Sequence, residues 1–123
     1  MAIPIDRLRA ELMSQVPHPR RVTATFTQYF MDEDTAAFCD IDVQPGAICE
    51  FGIVVLRQHS AERDAFLVRT WRRFADEVWL VDEAQRAVHV TPHEGDASVI
   101  RADEILRTSL VPTLAIDVAQ LFA

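Results

Sequence analysis

The sequence contains no lysine and no asparagine, and it has only 3 glycines and 2 cysteines among its 123 residues. All 12 basic residues are therefore arginines. The absence of lysine excludes every mechanism that needs a lysine amine, including Schiff-base chemistry, phosphate binding by a P-loop and a lysine-assisted nuclease site. Neither the glycine-rich dinucleotide fingerprint nor the Walker motif occurs, which excludes the usual nucleotide-binding loops as well.

The two cysteines and the hydropathy pattern bear on the compartment. Cys39 and Cys49 lack Cys-x-x-Cys spacing, so the pattern indicates free, buried thiols in a reducing cytoplasm in preference to zinc ligands. The longest apolar run, residues 53–56, is far too short to span a bilayer. Because no basic region followed by a long apolar stretch opens the chain, we expect no signal peptide and a cytoplasmic protein.

Length, hydrophobicity and charge describe a soluble domain with an acidic surface. Half of the residues are hydrophobic, enough for a substantial core, and the length fits one domain spanning residues 1–123. The net charge of −7 repels a phosphate backbone at long range, which disfavours nucleic-acid binding unless a local arginine patch overrides it. We therefore expect a protein partner or self-association in preference to nucleic acid, and no membrane partner.

Hydrophobic periodicity predicts both helices and strands. Helical spacing predicts an amphipathic helix over residues 3–16, and Ser60 is the expected N-cap of a second helix that runs to about Phe74. Strand patterns occupy residues 21–30, 35–43, 47–56, 77–81 and 86–90, with an extended segment at 98–101 and a short helix at 117–122. A helix between two buried strands is the connection that a parallel pair needs. We therefore predict an α/β (α+β) fold with a mixed β-sheet flanked by helices.

Two segments in the second half of the chain carry a family resemblance. The first spans residues 64–90, where a helix ends in Trp-Arg-Arg-Phe and a strand reads Glu-Val-Trp-Leu-Val-Asp. The second spans residues 102–112 and closes on residues 116–122. Together they resemble a bacterial family of proposed restriction endonucleases, abundant in cyanobacteria, with a PD-(D/E)XK-type fold. The resemblance implies a restriction-endonuclease-like fold in a shortened member.

The resemblance also implies a metal site that this sequence has lost. That family places a catalytic Asp on one strand, a Glu on the next and a Lys on the following helix, where carboxylates hold Mg²⁺ and lysine helps to activate water. Asp40 or Asp42 would occupy the Asp strand, but the Glu falls at Val54 and the Lys falls near Val68. The chain is thus expected to be a degenerate member that retains the scaffold without the standard site.

Three functions remain open on these grounds. The first is a catalytically impaired nuclease-fold protein that acts by binding, as a regulatory or assembly partner. The second is an active Mg²⁺-dependent DNA nuclease with a migrated carboxylate site at Asp40, Asp42 and Glu50, although acidic residues on strands are more often the wet face of a sheet. The third is an acidic interaction protein, such as an inhibitor that presents negative charge to a nucleic-acid-binding surface.

A basic helix face is the one candidate binding surface in the sequence. Arg69, Arg72 and Arg73 lie close together on the second predicted helix and could contact phosphate or an acidic protein. A charged helix face is more often simply solvated. The sequence therefore offers these arginines as a binding hypothesis, with solvation as the competing interpretation.

Two arrangements of histidine and serine are better explained by structure than by catalysis. His89 and His93 have the four-residue spacing that suits a metal on a helix, but their neighbours predict a strand and a turn. Ser60, His59 and Asp64 are the residue types of a catalytic triad, yet serine at the start of a helix is expected as a cap. Neither arrangement is taken as a site.

Overall fold

The computed structural model of the protein describes residues 4–15, 21–24, 35–40 and 50–123. This part of the chain contains three helices and eight strands. In order they are α1 (Pro4–Gln15), β1 (Arg21–Ala24), β2 (Thr35–Asp40), β3 (Glu50–Arg57), α2 (Ala61–Trp71), β4 (Ala75–Asp82), β5 (Ala87–Pro92), β6 (Ser98–Arg101), β7 (Ile105–Thr108), β8 (Val111–Asp117) and α3 (Val118–Leu121).

Six strands form one mixed sheet in the order β1-β2-β3-β4-β5-β6. β3 and β4 are parallel, and every other neighbouring pair in this sheet is antiparallel. Helix α2 connects the two parallel strands, because a parallel pair needs a crossover. Strands β7 and β8 form a separate antiparallel hairpin. The predicted mixed sheet with helices is confirmed.

Strand β3 is covered by apolar side chains on both of its faces. Its residues from Ile53 to Leu56 are all buried. Successive side chains of a strand point to opposite faces, so Ile53 and Val55 enter one apolar cluster while Val54 and Leu56 enter another. The uninterrupted apolar run predicted this burial on both faces.

The larger apolar cluster lies on the face covered by α1, the β7–β8 hairpin and α3. It joins the apolar stripe of α1 to strands β3, β4 and β5 and to the chain end; its buried members are Ile5, Leu8, Leu12, Ile53, Val55, Trp79, Val81, Val88, Leu106, Val111, Leu114, Ile116, Val118 and Leu121. The smaller cluster lies under α2 on the opposite face, and its buried members are Val54, Leu56, Leu67, Trp71, Ala75 and Val78.

Helix α2 begins where predicted and ends earlier than predicted. Ser60 is its N-cap, with Oγ accepting the N–H of Arg63 at 3.3 Å. The helix ends at Trp71, and the N–H of Phe74 bonds the Trp71 carbonyl at 2.9 Å in the turn that follows. The predicted helix end at about Phe74 is therefore about three residues too late, and Phe74 itself is 66% exposed.

The tail contains two strands that the sequence patterns did not predict. In β7 the residues alternate between exposed and buried over only four positions, too short a run to be distinguished from a loop. The predicted short helix is confirmed as α3, with the Asp117 carboxylate accepting the Ala119 N–H at 3.1 Å as N-cap. No helix in the described part of the chain is long and apolar enough to cross a membrane.

Candidate functional site

The two positions that the resemblance assigns to the nuclease Glu and Lys lie in the smaller apolar cluster. Val54 on β3 is completely buried there, and Val68 on α2 packs against the same cluster. Leu67 and Trp71, on the same helix as Val68, are buried members of this cluster. Neither valine side chain offers an oxygen or nitrogen ligand, and Val68 is only partly buried.

The neighbouring strand supplies no carboxylate beside Val54 either. Ala37 on β2 is the Cα partner of Val54, and Ala36 and Phe38 are the partners of Val55 and Ile53. Ile53 and Val55, the neighbours of Val54 in β3, are also aliphatic, so assigning the family's Glu one residue earlier or later would not supply a carboxylate. Because Mg²⁺ binds through carboxylate, carbonyl and water oxygens, the residues at this place do not fit a divalent cation.

The proposed migrated site falls at the end of the β2–β3 pair. Asp40 and Glu50 are Cα partners in the antiparallel register. Glu50 is four residues before Val54, which places it roughly 13 Å away along the strand at about 3.3 Å per residue. Asp42 lies outside the described residues, as does Cys49. The register thus brings two of the three candidate carboxylate residues together, at a distance from Val54.

Arg72, one of the three arginines of the predicted binding face, is engaged in an internal clamp. Its Nε donates to the carbonyls of Pro92 at 2.8 Å and His93 at 3.0 Å, and its Nη2 donates to Gly95 at 2.7 Å. His93 Nδ1 in turn donates to the Arg72 carbonyl at 2.7 Å. The clamp ties the end of α2 to the β5–β6 turn. Arg72 is thus held by backbone carbonyls of its own chain, a third possibility beside the partner contact and the solvation that the sequence left open.

The other two arginines of that face remain at the surface. Arg69 lies on α2 and Arg73 just beyond its end, and both are exposed. Phe66, one turn before Arg69 on the same helix, is 53% exposed. Exposed aromatic and arginine side chains are the types enriched where proteins bind one another. This pairing was not apparent from the sequence, because Phe66 could equally have faced the core.

A cleft of about 520 Å³ opens between α2 and strands β4 and β5. Its walls combine small alanine side chains with polar and charged ones. The lining residues are Gln58, Ala61, Asp64, Ala65, Val68, Arg69, Leu80, Asp82, Gln85, His89, Thr91 and Ala97. Two of these, Asp64 and Asp82, are buried carboxyl residues with 4% and 2% exposure. Buried carboxylates are costly without partners, so each must be hydrogen-bonded.

Asp82 orients His89 and closes the β4–β5 turn. One carboxylate oxygen accepts the Gln85 N–H at 3.0 Å, and the other lies 2.9 Å from His89 Nε2. With a carboxylate as acceptor, the imidazole proton sits on Nε2, which leaves Nδ1 as the acceptor of the neutral ring. Asp82 thus fixes the orientation of the His89 ring at the wall of the cleft.

Asp64 holds the segment that enters α2. Both of its carboxylate oxygens accept the backbone N–H of His59, at 3.1 and 3.2 Å. Because Ser60 Oγ caps the helix and Asp64 binds the His59 backbone, these three residues form a helix cap and not a catalytic triad, as expected. His89 and His93 bond different partners on different strands and turns. Among the described residues, no group of three His, Cys, Asp or Glu side chains is placed to hold a metal ion.

Sequence patterns missed the roles of Asp82 and His89. Aspartate is favoured at the first position of a β-turn, so the place of Asp82 at the start of the predicted turn could have identified it as a hydrogen-bonded turn residue. His89 becomes Asp82's neighbour only through the β4–β5 register, in which it is the Cα partner of Leu80. That contact depends on tertiary pairing and leaves no local pattern.

Comparison with known proteins supports the fold. A scan against protein-family models finds no match for the chain, and a search of the curated proteins finds none either. A solved structure from Anabaena variabilis ATCC 29413, described as "a putative nuclease belonging to DUF820", is similar with a TM-score of 0.65. The similarity covers 99% of this chain and 82% of that chain at 12% sequence identity. The chain therefore has the mixed, restriction-endonuclease-like fold of that protein, which confirms the fold that the sequence resemblance implied.

Proposed function

We propose that this chain uses a nuclease fold as a binding scaffold and does not cleave DNA by the metal-assisted route of that fold. One observation carries the proposal: Val54 and Val68, at the positions assigned to the catalytic Glu and Lys, are part of an apolar cluster. The protein acts as a regulatory or assembly partner, and its fold is retained for the surfaces that it presents.

The chemistry of phosphodiester cleavage gives this observation its weight. Metal-assisted attack needs carboxylates that hold the cation and a group that orients water. An aliphatic side chain supplies neither function, and a cation against buried methyl groups would lose its hydration without gaining ligands. The lysine-free sequence provides no amine elsewhere to replace the one that is missing.

A cleavage assay tests the proposal. The protein is incubated with single- and double-stranded DNA and either Mg²⁺ or Mn²⁺, beside an Asp40→Ala/Asp42→Ala variant as the matched control. We expect no cleavage that depends on the metal by either protein. Cleavage by the unaltered chain that disappears in the double variant would overturn the proposal.

A second candidate function, an active Mg²⁺-dependent nuclease with a migrated site, is favoured by one observation. Asp40 and Glu50 are Cα partners, and such residues lie about 5 Å apart in an antiparallel pair. Carboxylate oxygens are the ligands that Mg²⁺ prefers. Glu50→Gln removes one ligand charge with little change in size. Metal-dependent cleavage by a contaminating nuclease would be the same in this variant, whereas cleavage by the chain itself would fall. Loss of a metal-dependent activity in that variant would establish the second candidate.

A further inference from the structure

The outer face of α2 carries a stripe of four exposed residues. Glu62, Phe66, Arg69 and Arg73 follow one another in steps of four, three and four residues, and all four are exposed. This spacing keeps side chains on one side of a helix and is the spacing of a helix–helix seam. Arg73 lies just after the helix, where its N–H still bonds the Thr70 carbonyl at 3.4 Å and the chain continues the turn.

The order of charges makes this stripe complementary to itself. Glu62 and Arg73 are equidistant from a point between Leu67 and Val68, and so are Phe66 and Arg69. A two-fold axis through that point would pack two α2 helices antiparallel and set each residue of a pair against the other. Glu62 would then face Arg73 of the second copy, and Phe66 would face Arg69 of the second copy. A parallel pair would instead place like charges together.

Both contacts are of favourable kinds. The acidic and basic residues form an ion pair, and an arginine over a phenylalanine ring gains a cation–π interaction. Phe74, the most exposed of the large hydrophobic side chains in the described part of the chain, follows Arg73 directly and adds apolar surface at each end of the seam. Contacts of this number form a small interface, so the expected association is weak and reversible.

A nucleic acid fits the same stripe less well. Two exposed arginines give only two phosphate contacts, Glu62 repels phosphate from the same stripe, and the whole chain carries a net charge of −7. A second copy of the chain satisfies the acidic and the basic ends at once. The symmetry of the charges therefore favours self-association.

We propose that α2 mediates antiparallel self-association of this chain through Glu62, Phe66, Arg69 and Arg73. A second copy of the chain is then the partner in the binding role proposed above, and the biological meaning of the contact rests on that role. The contact itself is independent of whether the chain cleaves DNA. It assigns to Arg69 and Arg73 a protein partner, whereas Arg72 stays in its internal clamp.

Analytical ultracentrifugation of charge-reversal variants tests the inference. The unaltered chain should show a reversible monomer–dimer equilibrium between about 10 µM and 1 mM at low salt, the range expected of a small interface. Glu62→Arg sets arginine against arginine across the axis, and Arg73→Glu sets glutamate against glutamate. Each variant alone should weaken association by about tenfold or more.

Mixing the two variants gives the decisive readout. An equimolar mixture should recover association as a heterodimer, because both contacts between the two variants pair opposite charges. Arg107→Glu, an exposed arginine on β7 in the opposite layer, is the matched control and should leave association unchanged. Circular dichroism of each variant checks that α2 remains helical.

Three outcomes would overturn the inference: a chain that stays monomeric over this range, single variants that associate as tightly as the unaltered chain, or a mixture that recovers nothing. The cleavage assay separates this result from the proposed function. A monomer that does not cleave DNA sinks the self-association alone, whereas a dimer that cleaves DNA sinks the proposed function alone.

Discussion

The two faces of the sheet differ in what covers them and in what their residues can do. On one face, α1, the β7–β8 hairpin and α3 bury the larger apolar cluster completely. On the other face α2 covers a smaller cluster and leaves a polar cleft beside it. The resemblance places the family's catalytic Glu and Lys on this second face, at or near Val54 and Val68. The difference teaches that the two faces of one sheet can serve different ends: one is given wholly to packing, whereas the other keeps an open surface lined by polar side chains.

The largest expected effect contrasts one tryptophan from each face. Trp79 is completely buried in the larger cluster, and its Nε1 donates to Glu77 at 2.7 Å. Trp79→Ala should lower the free energy of unfolding by about 3–5 kcal/mol through the lost contacts and the cavity. Trp71→Ala, in the smaller cluster, should cost less. Urea denaturation followed by circular dichroism measures both, and an equal or larger loss for Trp71 would break the contrast between the faces.

An intermediate effect comes from restoring the family's glutamate. Val54→Glu places a carboxylate among aliphatic side chains and should lower the free energy of unfolding by about 3 kcal/mol or more at neutral pH. Val54→Gln, similar in size and uncharged, is the control. Because burial favours the neutral form of the carboxyl group, the difference between the two variants should shrink as the pH falls to about 4. A difference that is independent of pH would show that charge is not the cause.

The smallest expected effect compares neighbouring arginines at the end of α2. Arg72→Ala removes the donors to the carbonyls of Pro92, His93 and Gly95 and should cost about 1–3 kcal/mol of unfolding free energy. Arg73→Ala, at an exposed position, should change it by less than about 0.5 kcal/mol. Thermal unfolding of both variants checks the pair. Similar values for the two would mean that the clamp adds no stability to the cleft face.

Much of the fold could be predicted because its signals are local. Serine before a charged first turn identified the start of α2, and an unbroken aliphatic run identified β3 as the strand covered on both sides. The crossover rule then required β3 and β4 to be parallel, as they are. The β7–β8 hairpin escaped prediction because its strands are short and Pro112 lies within β8, where a proline argues against a strand.

The arrangement around the candidate site could be predicted only in part. The resemblance predicted valine at the family's Glu position and near its Lys position, and the structure places Val54 in the smaller apolar cluster with Val68 packed against it. The Arg72 clamp and the contact between Asp82 and His89 could not, because each joins residues of different elements. The position of Phe74 was mispredicted because helical spacing continues in the sequence beyond the residue where the helix ends.

Calorimetric titration of the purified chain with Mn²⁺ and with Mg²⁺ tests the central claim most directly, because the family's chemistry begins with metal binding. An Asp40→Ala/Glu50→Ala variant is the matched control for the two carboxylate residues that the β2–β3 register brings together. The proposed binding role, without metal-assisted cleavage, predicts no saturable heat of binding for either protein. Saturable binding by the unaltered chain that the double variant abolishes would contradict the account and point to a working site at the end of the β2–β3 pair.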